Sequence, residues 1–452
     1  MPAVFPFEAV QFNRGAGDAS ANIAPPYDVL DARAKAALLA RNERNIVSVD
    51  LPHVPAKELG PTETYAHAAG LLRRWLTEGY LTRRERPAMF AYRQTFTVHG
   101  ARERQRCGMA CTVPLLPFGP ASGGGILPHE ETFSGPKEDR MALMKAVKGQ
   151  TSPIFGLHPD ERGAASGLVR SVMASRAPDQ TARMADDVRH EVWAIDDAAT
   201  ISAYADALAG EDVFIADGHH RYTTALNYLR GLESQHPLPP NHPAKRCMIV
   251  LVGMSDPGLY IGPTHRVLGG MKDYTIEKFI EATKGLLHIV PAVGAPERIE
   301  DAMVRETPTG TGGRGGNVLG LIDFASGKAY VATLMARDPL ARRFPDKPPA
   351  WRDLDVAIVQ HAIVEDVCQP KLNAGNPITW AFPHSVPEVL EIGRGRETGA
   401  GGGAGFAQLA IIVRPTPLEA VRAVSRAGVL MPQKSTFFYP KLATGLFMHI
   451  HD

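Results

Sequence analysis

Cysteine is scarce in this chain, net charge is almost absent, and no apolar run is long. Four cysteines, Cys107, Cys111, Cys247 and Cys368, are spread over 452 residues. They form no CxxC pair and no disulfide framework. The expectation is reduced thiols in or near the core of a cytoplasmic protein, with Cys107 and Cys111 meeting across one helical turn or lying on one strand face. The formal net charge of +1 gives no global field toward nucleic acid or acidic membrane. The longest apolar runs, such as residues 247–254, are too short to span a bilayer. Residues 1–14 lack a basic segment followed by a long apolar run, so no signal peptide is expected. No HExxH or paired Cys/His spacing supports a zinc site built from protein alone. No Walker sequence and no internal repeat is present.

What is there is an ordinary globular composition, 44% hydrophobic, in a chain long enough for two or three domains. Three parts are expected: an N-terminal lobe over 1–112, a core over 113–268, and a C-terminal lobe over 269–452. The first part carries a helix over 62–78, with Tyr65, Ala68, Ala69, Leu72 and Trp75 along its apolar side. Residues 89–96 alternate like a half-buried strand. The last part opens with a helix over 275–287 and returns to strands at 318–323 and 407–413. Its glycine-rich stretches, 309–316 and 393–405, read as flexible surface insertions, because no phosphate-loop lysine follows either one.

The chemistry concentrates in the middle. Val213-Phe214-Ile215-Ala216 reads as a short buried strand and Asp217-Gly218 as a tight turn. A helix then begins, with Tyr222, Ala225, Leu226 and Leu229 on one apolar face. Asp217, His219, His220 and Arg221 therefore sit where a strand ends and a helix starts, a position whose unpaired N–H groups and dipole favour an anion. The bland alternative is two surface histidines and a capping Asp. Upstream lies Pro128-His129-Glu130-Glu131-Thr132-Phe133-Ser134-Gly135-Pro136-Lys137-Glu138-Asp139-Arg140. Ser134 can cap a helix and Pro136 suits its first turn. Lys137 and Arg140 share a face at that positive helix end, where a bound anion would relieve their cost. A solvated loop before a charged helix face is the alternative.

Two smaller motifs fit the same picture. Pro263-Thr264-His265-Arg266 follows a strand-like run ending at Ile261. Met431-Pro432-Gln433-Lys434-Ser435-Thr436-Phe437-Phe438-Tyr439-Pro440-Lys441 carries two lysines and two hydroxyls, although a terminal strand with exposed lysines would also explain it. The candidate phosphate ligands are Lys137, Arg140, Gly218, His219, His220, Arg221, His265, Arg266 and Lys434. The candidate bases are Glu130, Glu131 and Asp217. Many cations and few carboxylates suit phosphoryl transfer, where catalysis is mostly positioning and charge stabilisation. His129, His219 and His220 with Glu130 and Asp217 could instead hold a divalent ion. Mg²⁺ bridging Asp217 and substrate phosphates is the more natural metal.

On these residues the chain resembles the bacterial and archaeal domain-of-unknown-function family 1015. The matching stretches are Pro25-Pro26-Tyr27-Asp28-Val29, His129-Glu130 with Thr132, Pro136-Lys137 with Asp139-Arg140, Ser152-Pro153-Ile154-Phe155, the 217–222 run, Pro263-Thr264-His265-Arg266, and Lys434-Ser435-Thr436 through Pro440-Lys441. More distantly, Asp217-Gly218-His219-His220-Arg221 is similar to the signature of the ParB/sulfiredoxin-like fold, most of all its free serine kinases. That resemblance covers about residues 113–230.

It implies an α+β (mixed α/β) protein with a ParB/sulfiredoxin-like core and an additional C-terminal lobe. It implies Glu130 or Glu131 as base, Asp217 as a metal- or hydroxyl-orienting carboxylate, and phosphate binding by 218–221. The catalytic set expected is Glu130, Asp217, His219 and His220, with substrate contacts from His129, Glu131, Thr132, Ser435 and Thr436. The leading function is phosphoryl transfer from ATP, ADP or pyrophosphate to a small hydroxyl metabolite, best L-serine, or the reverse on phosphoserine, with Mg²⁺ as cofactor. The alternatives are a nucleotide-sensing or DNA-associated regulator, against which the lack of a basic stripe argues, and a metal-dependent phosphoesterase. A small molecule is the expected partner, with no membrane and no nucleic acid.

Overall fold

The computed structural model describes every residue except 1, 2, 14, 16, 57, 99–101, 132, 133, 307–316, 397–402 and 404, and excludes the side chains of 134–136. The chain forms two units, Met1–Tyr260 with Phe438–Asp452, and Ile261–Phe437. This differs from the expected three parts. A boundary after 112 would cut the strand Arg104–Pro114, and one after 268 would cut the strand Arg266–Gly269.

The first unit is built on an eight-stranded sheet. Its strands are β1 (Met89–Phe96), β2 (Arg104–Pro114), β3 (Ile126–Leu127), β4 (Ile154–His158), β5 (Gln180–Arg183), β6 (Arg189–Ile195), β7 (Val213–Asp217) and β8 (Arg246–Gly253). They lie in the order β3-β7-β4-β8-β2-β1-β6-β5. β7 runs parallel to β3 and antiparallel to β4, and β4 runs parallel to β8. The remaining pairs are antiparallel.

Helices α1 (Thr62–Thr77), α2 (Ser134–Val147), α3 (Ala164–Ser175), α4 (Ala198–Ala207) and α5 (His219–Glu233) belong to this unit. α1 buries Tyr65, Ala68, Ala69, Leu72 and Trp75, the stripe its spacing predicts. β1 departs from its expected half-burial: every residue but Arg93 is buried. It is an interior strand between β2 and β6, so its polar Gln94 and Thr95 are covered as well as its apolar side chains. The four cysteines are buried and free.

The C-terminal residues thread back through this unit. Backbone bridges join Ala24 to Thr444 and Val10 to Met448, and His449–Ile450 pairs with Gly149–Gln150. Hydrogen bonds to peptide groups so distant in sequence fix the tail without help from side-chain pattern.

The second unit has a six-stranded sheet of β9 (Arg266–Gly269), β10 (Leu287–Pro291), β11 (Val318–Asp323), β12 (Lys328–Leu334), β13 (Thr379–Ala381) and β14 (Ala407–Ile412), in the order β10-β12-β11-β14-β9-β13. Both faces are covered. Leu319, Leu321, Leu409 and Ile411 pack with the helix Ile358–Cys368, while Val318, Ile322, Ala410 and Ile412 pack with Ile299, Val386 and Val389. The helix expected over 275–287 is shorter, Ile276–Ala282, capped by the Thr275 side chain. Gly285 turns the chain at φ +82° and Leu287 already opens β10, so apolar spacing across a turn had imitated one helix. Of the glycine-rich stretches, 309–316 and most of 393–405 lie outside the described residues. Among the described residues, no helix is long and apolar enough to cross a membrane.

Candidate functional site

Parallel pairing brings the two central sequence clusters together. Ile126 pairs with Val213 and Leu127 with Phe214, so the segments after β3 and at the end of β7 leave the sheet at the same end of its strands. His129 then lies against the start of α5. Its backbone N–H donates to His219 Nε2 at 3.3 Å, and its Nδ1 bonds the Ile215 carbonyl at 2.9 Å. The two rings meet edge to face at 4.7 Å. Accepting on Nε2 leaves the proton of His219 on Nδ1, while a carbonyl partner requires the proton of His129 on Nδ1. Burial lowers both pKa values. The pair is neutral and tautomer-locked, so His219 supplies no cation to a phosphate. It ties the two segments instead. His220 is half-buried on the first turn of α5.

Gly218 makes this turn possible. Its φ is +94°, and a Cβ there would meet the Arg221 guanidinium at 3.1 Å. A side chain at 218 would be strained twice, by backbone and by contact. The approach lets Arg221 Nη2 reach Asp217 Oδ2 at 2.6 Å, while Nη1 donates to the Pro153 carbonyl. The other Asp217 oxygen, Oδ1, accepts from Lys441 Nζ at 2.7 Å. Burial alone would raise the Asp217 pKa, but Lys441 and Arg221 outweigh it and hold the carboxyl well below the ordinary range. A carboxylate so paired is a poor proton acceptor. Each of its oxygens is already held by a cation, so a metal ion could bind Asp217 only by displacing Arg221 or Lys441. Asp217 therefore does not fit the expected role of magnesium ligand; it orients two cations.

Arg140 also differs from expectation. It is 6% exposed. Its Nε donates to Asp139 Oδ2 at 2.7 Å and its Nη1 to the Asp50 carbonyl at 2.5 Å, and its guanidinium lies 3.9 Å from the Tyr27 ring centroid. Asp139 is held in turn by the Tyr65 hydroxyl at 2.7 Å, and the Asp50 carboxylate by Thr151 and Ser152. This network consumes the cation that the helix-start argument had offered to phosphate. A cavity of about 30 Å³ lies among Tyr27, Asp50, Arg140, Ser152, Arg221 and Thr224. Lys137 is half-buried on the first turn of α2.

Glu130 is half-buried and Glu131 exposed, as adjacent residues of an extended segment should differ. Thr132 lies outside the described residues. His265, Arg266, Lys434, Ser435 and Thr436 belong to the second unit. There Arg266 is buried and donates to the carbonyls of Thr264 and Lys434, His265 Nδ1 accepts from the Val413 amide at 3.3 Å, and the Ser435 hydroxyl donates to the Pro432 carbonyl. Arg266 and Ser435 hold turns, which their sequence context did not distinguish from ligand contacts. Lys434 is exposed and Thr436 half-buried.

The residue missed by sequence reasoning is Lys441. It stands in the 431–441 stretch beside the candidate Lys434, and nothing local shows that the tail returns to Asp217 from 224 positions away. Tyr27 and Asp50 were likewise missed. The Pro25-Pro26-Tyr27-Asp28 motif was the available signal for Tyr27.

Three solved structures resemble the chain at low scores. A free serine kinase variant in complex with ADP has a TM-score of 0.32 and 12% identity, covering 73% of this chain and 95% of its own. A free serine kinase in complex with AMP has a TM-score of 0.33 and 12% identity, over 74% and 96%. A conserved hypothetical protein from Pyrococcus furiosus has a TM-score of 0.30 and 14% identity, over 73% and 98%. No curated protein matches the chain. The profile of one family covers residues 4–357, so its match includes both central clusters and stops short of the segment that carries Lys441. On that match the chain belongs to the family described as protein of unknown function, DUF1015.

Proposed function

We propose that this protein is a phosphotransferase for a small hydroxyl metabolite, with free L-serine as the best single acceptor and ATP, ADP or pyrophosphate as donor. The reverse reaction would act on phosphoserine. In this reading the catalytic unit is a ParB/sulfiredoxin-like core, and residues 261–437 form an additional lobe. The observation that carries it is Asp217 held between Lys441 and Arg221 at the start of α5, one contact away from the His129-Glu130 segment. Two fixed cations beside a helix N-terminus suit the charge on a transferring phosphoryl group. The similarity of Asp217-Gly218-His219-His220-Arg221 to the serine kinase signature supports the choice of serine.

Glu130 follows the residue that touches α5, and it is the base in this scheme. The serine oxygen attacks the terminal phosphorus of the donor as its proton passes to Glu130. The new O–P bond forms as the donor P–O bond breaks, and the electron pair leaves with the shortened donor. Lys441 and Arg221 offset the negative charge on phosphoryl oxygens, with Asp217 fixing their directions.

The test is product analysis by ³¹P NMR with serine and each of the three donors. A phosphoserine resonance with any donor is expected. Inorganic phosphate alone would make the protein a hydrolase, and no turnover of any donor would also overturn the proposal.

A further inference from the structure

The segment that carries Lys441 is held by two buried side chains on neighbouring strands. Gln94 on β1 and Arg106 on β2 are directly paired in register. Both are almost fully covered, at 1% and 2% exposure. Arg106 donates to the Pro440 carbonyl at 2.5 Å and to the Tyr439 carbonyl at 3.2 Å. It also donates to Gln94 Oε1, and Gln94 Nε2 donates to the Lys441 carbonyl at 2.8 Å. Three successive carbonyls are thus held, while the Lys441 side chain bonds Asp217. The Phe155 ring lies 4.5 Å from the guanidinium carbon.

This arrangement is an expensive way to fix a tail. Among the described residues Arg106 has no carboxylate partner; its hydrogen bonds go to neutral oxygens only. Asp256 and Asp217 act on it only through space, and a buried charge without a hydrogen-bonded counter-charge is costly; a hydrophobic side chain of similar size would fill the space at less cost. A fork of rigid donors, however, fixes direction as well as distance. Arg106 supplies that fork at the two residues before Lys441, and Gln94 completes it at Lys441 itself.

We infer that Arg106 and Gln94 are positioning residues that set the Lys441 ammonium group on Asp217, and through it on the phosphoryl group. The catalytic part of this inference rests on the function proposed above; the placement of Lys441 does not. Lys441 is 17% exposed at its side chain, so an amine-reactive acylating reagent read by mass spectrometry reports how well it is held, without substrate.

In Arg106→Met, Lys441 should label about tenfold faster, as expected for the loss of a buried charged hydrogen bond. An exposed lysine of the second unit, Lys272, should not change. Gln94→Glu is the second variant. It gives Arg106 a carboxylate and so favours folding, but removes the N–H that holds the Lys441 carbonyl, and it should also speed labelling. Transfer to serine, where the wild type shows it, should lose kcat with donor KM nearly unchanged. Lys441 labelling at the wild-type rate in Arg106→Met, or in Gln94→Glu if Arg106→Met does not fold, overturns the inference. Faster labelling in a protein whose wild type transfers nothing to serine supports the placement and refutes the function.

Discussion

Replacing Asp217 with Asn removes one charge from between two cations and leaves the side-chain shape almost unchanged. Each ion pair, at 2.6 and 2.7 Å, has a gross attraction of about 6 kcal/mol at an effective dielectric constant near 20. Most of that is offset by the cost of drying the three groups, and the measured loss on breaking a buried pair is about 3–5 kcal/mol. The side chains of Arg221, Lys441 and Asp217 retain 11%, 17% and 19% exposure, so water screens them in part and about 3 kcal/mol is the appropriate figure. That is roughly a hundredfold in the equilibrium for opening β7 and the first turn of α5. Hydrogen exchange of peptides covering 213–233 should show protection falling by that factor at pH 7.

The effect carries a pH dependence of known sign. The Asp217 carboxyl is held well below its ordinary value of 3.8 in the folded chain, so below that pH the unfolded state binds more protons than the folded state. The stability it contributes is complete above pH 3.8 and is lost as the pH falls toward the folded pKa. The gap between wild type and Asp217→Asn should therefore be constant from pH 5 to 7 and narrow below about 4. Equal protection in the two proteins at pH 7, or a gap that widens in acid, would refute the clamped carboxylate.

Gly218→Ala should lower stability by about 1–2 kcal/mol from its left-handed backbone alone, with more from the guanidinium contact, read as a drop in Tm; an unchanged Tm would contradict the turn geometry. Glu130→Gln should lower transfer by roughly 10²–10⁴-fold while leaving donor affinity nearly intact, and Glu131→Gln should be mild; wild-type rates in both would remove the proposed base. Burial pushes the Cys107 thiol up to about 11 and the Cys111, Cys247 and Cys368 thiols up as well. All four should resist a thiol-specific disulfide reagent at pH 8 and react once the chain is denatured; a fast-reacting thiol in the folded protein would show that one is exposed.

Local pattern was readable wherever one element decides the outcome. The stripe from Tyr65 to Trp75 is the buried face of α1, and the run from Val213 through Leu229 gives β7, a left-handed Gly218 and the covered side of α5. What could not be read is which charges neutralise one another. Arg140 and Arg221 both stand at a helix start behind a strand or turn, and sequence argument treats them alike. The fold surrounds Arg140 with Asp139, Asp50 and Tyr27, and gives Arg221 a carboxylate that it shares with Lys441. That difference comes from contacts spanning 90 and 224 positions, and no periodicity encodes them. The same holds for Arg106, an ordinary basic residue in the text of β2, whose meaning appears only when the tail lies across it. A cation near a helix start is therefore a weak sign of an anion site until its carboxylate partners are known. Here Asp217 stands between Arg221 and Lys441, and Asp28 and Asp50 act on Arg221 as well, so the charge that the phosphoryl group of the proposed reaction would meet is set by all five groups together.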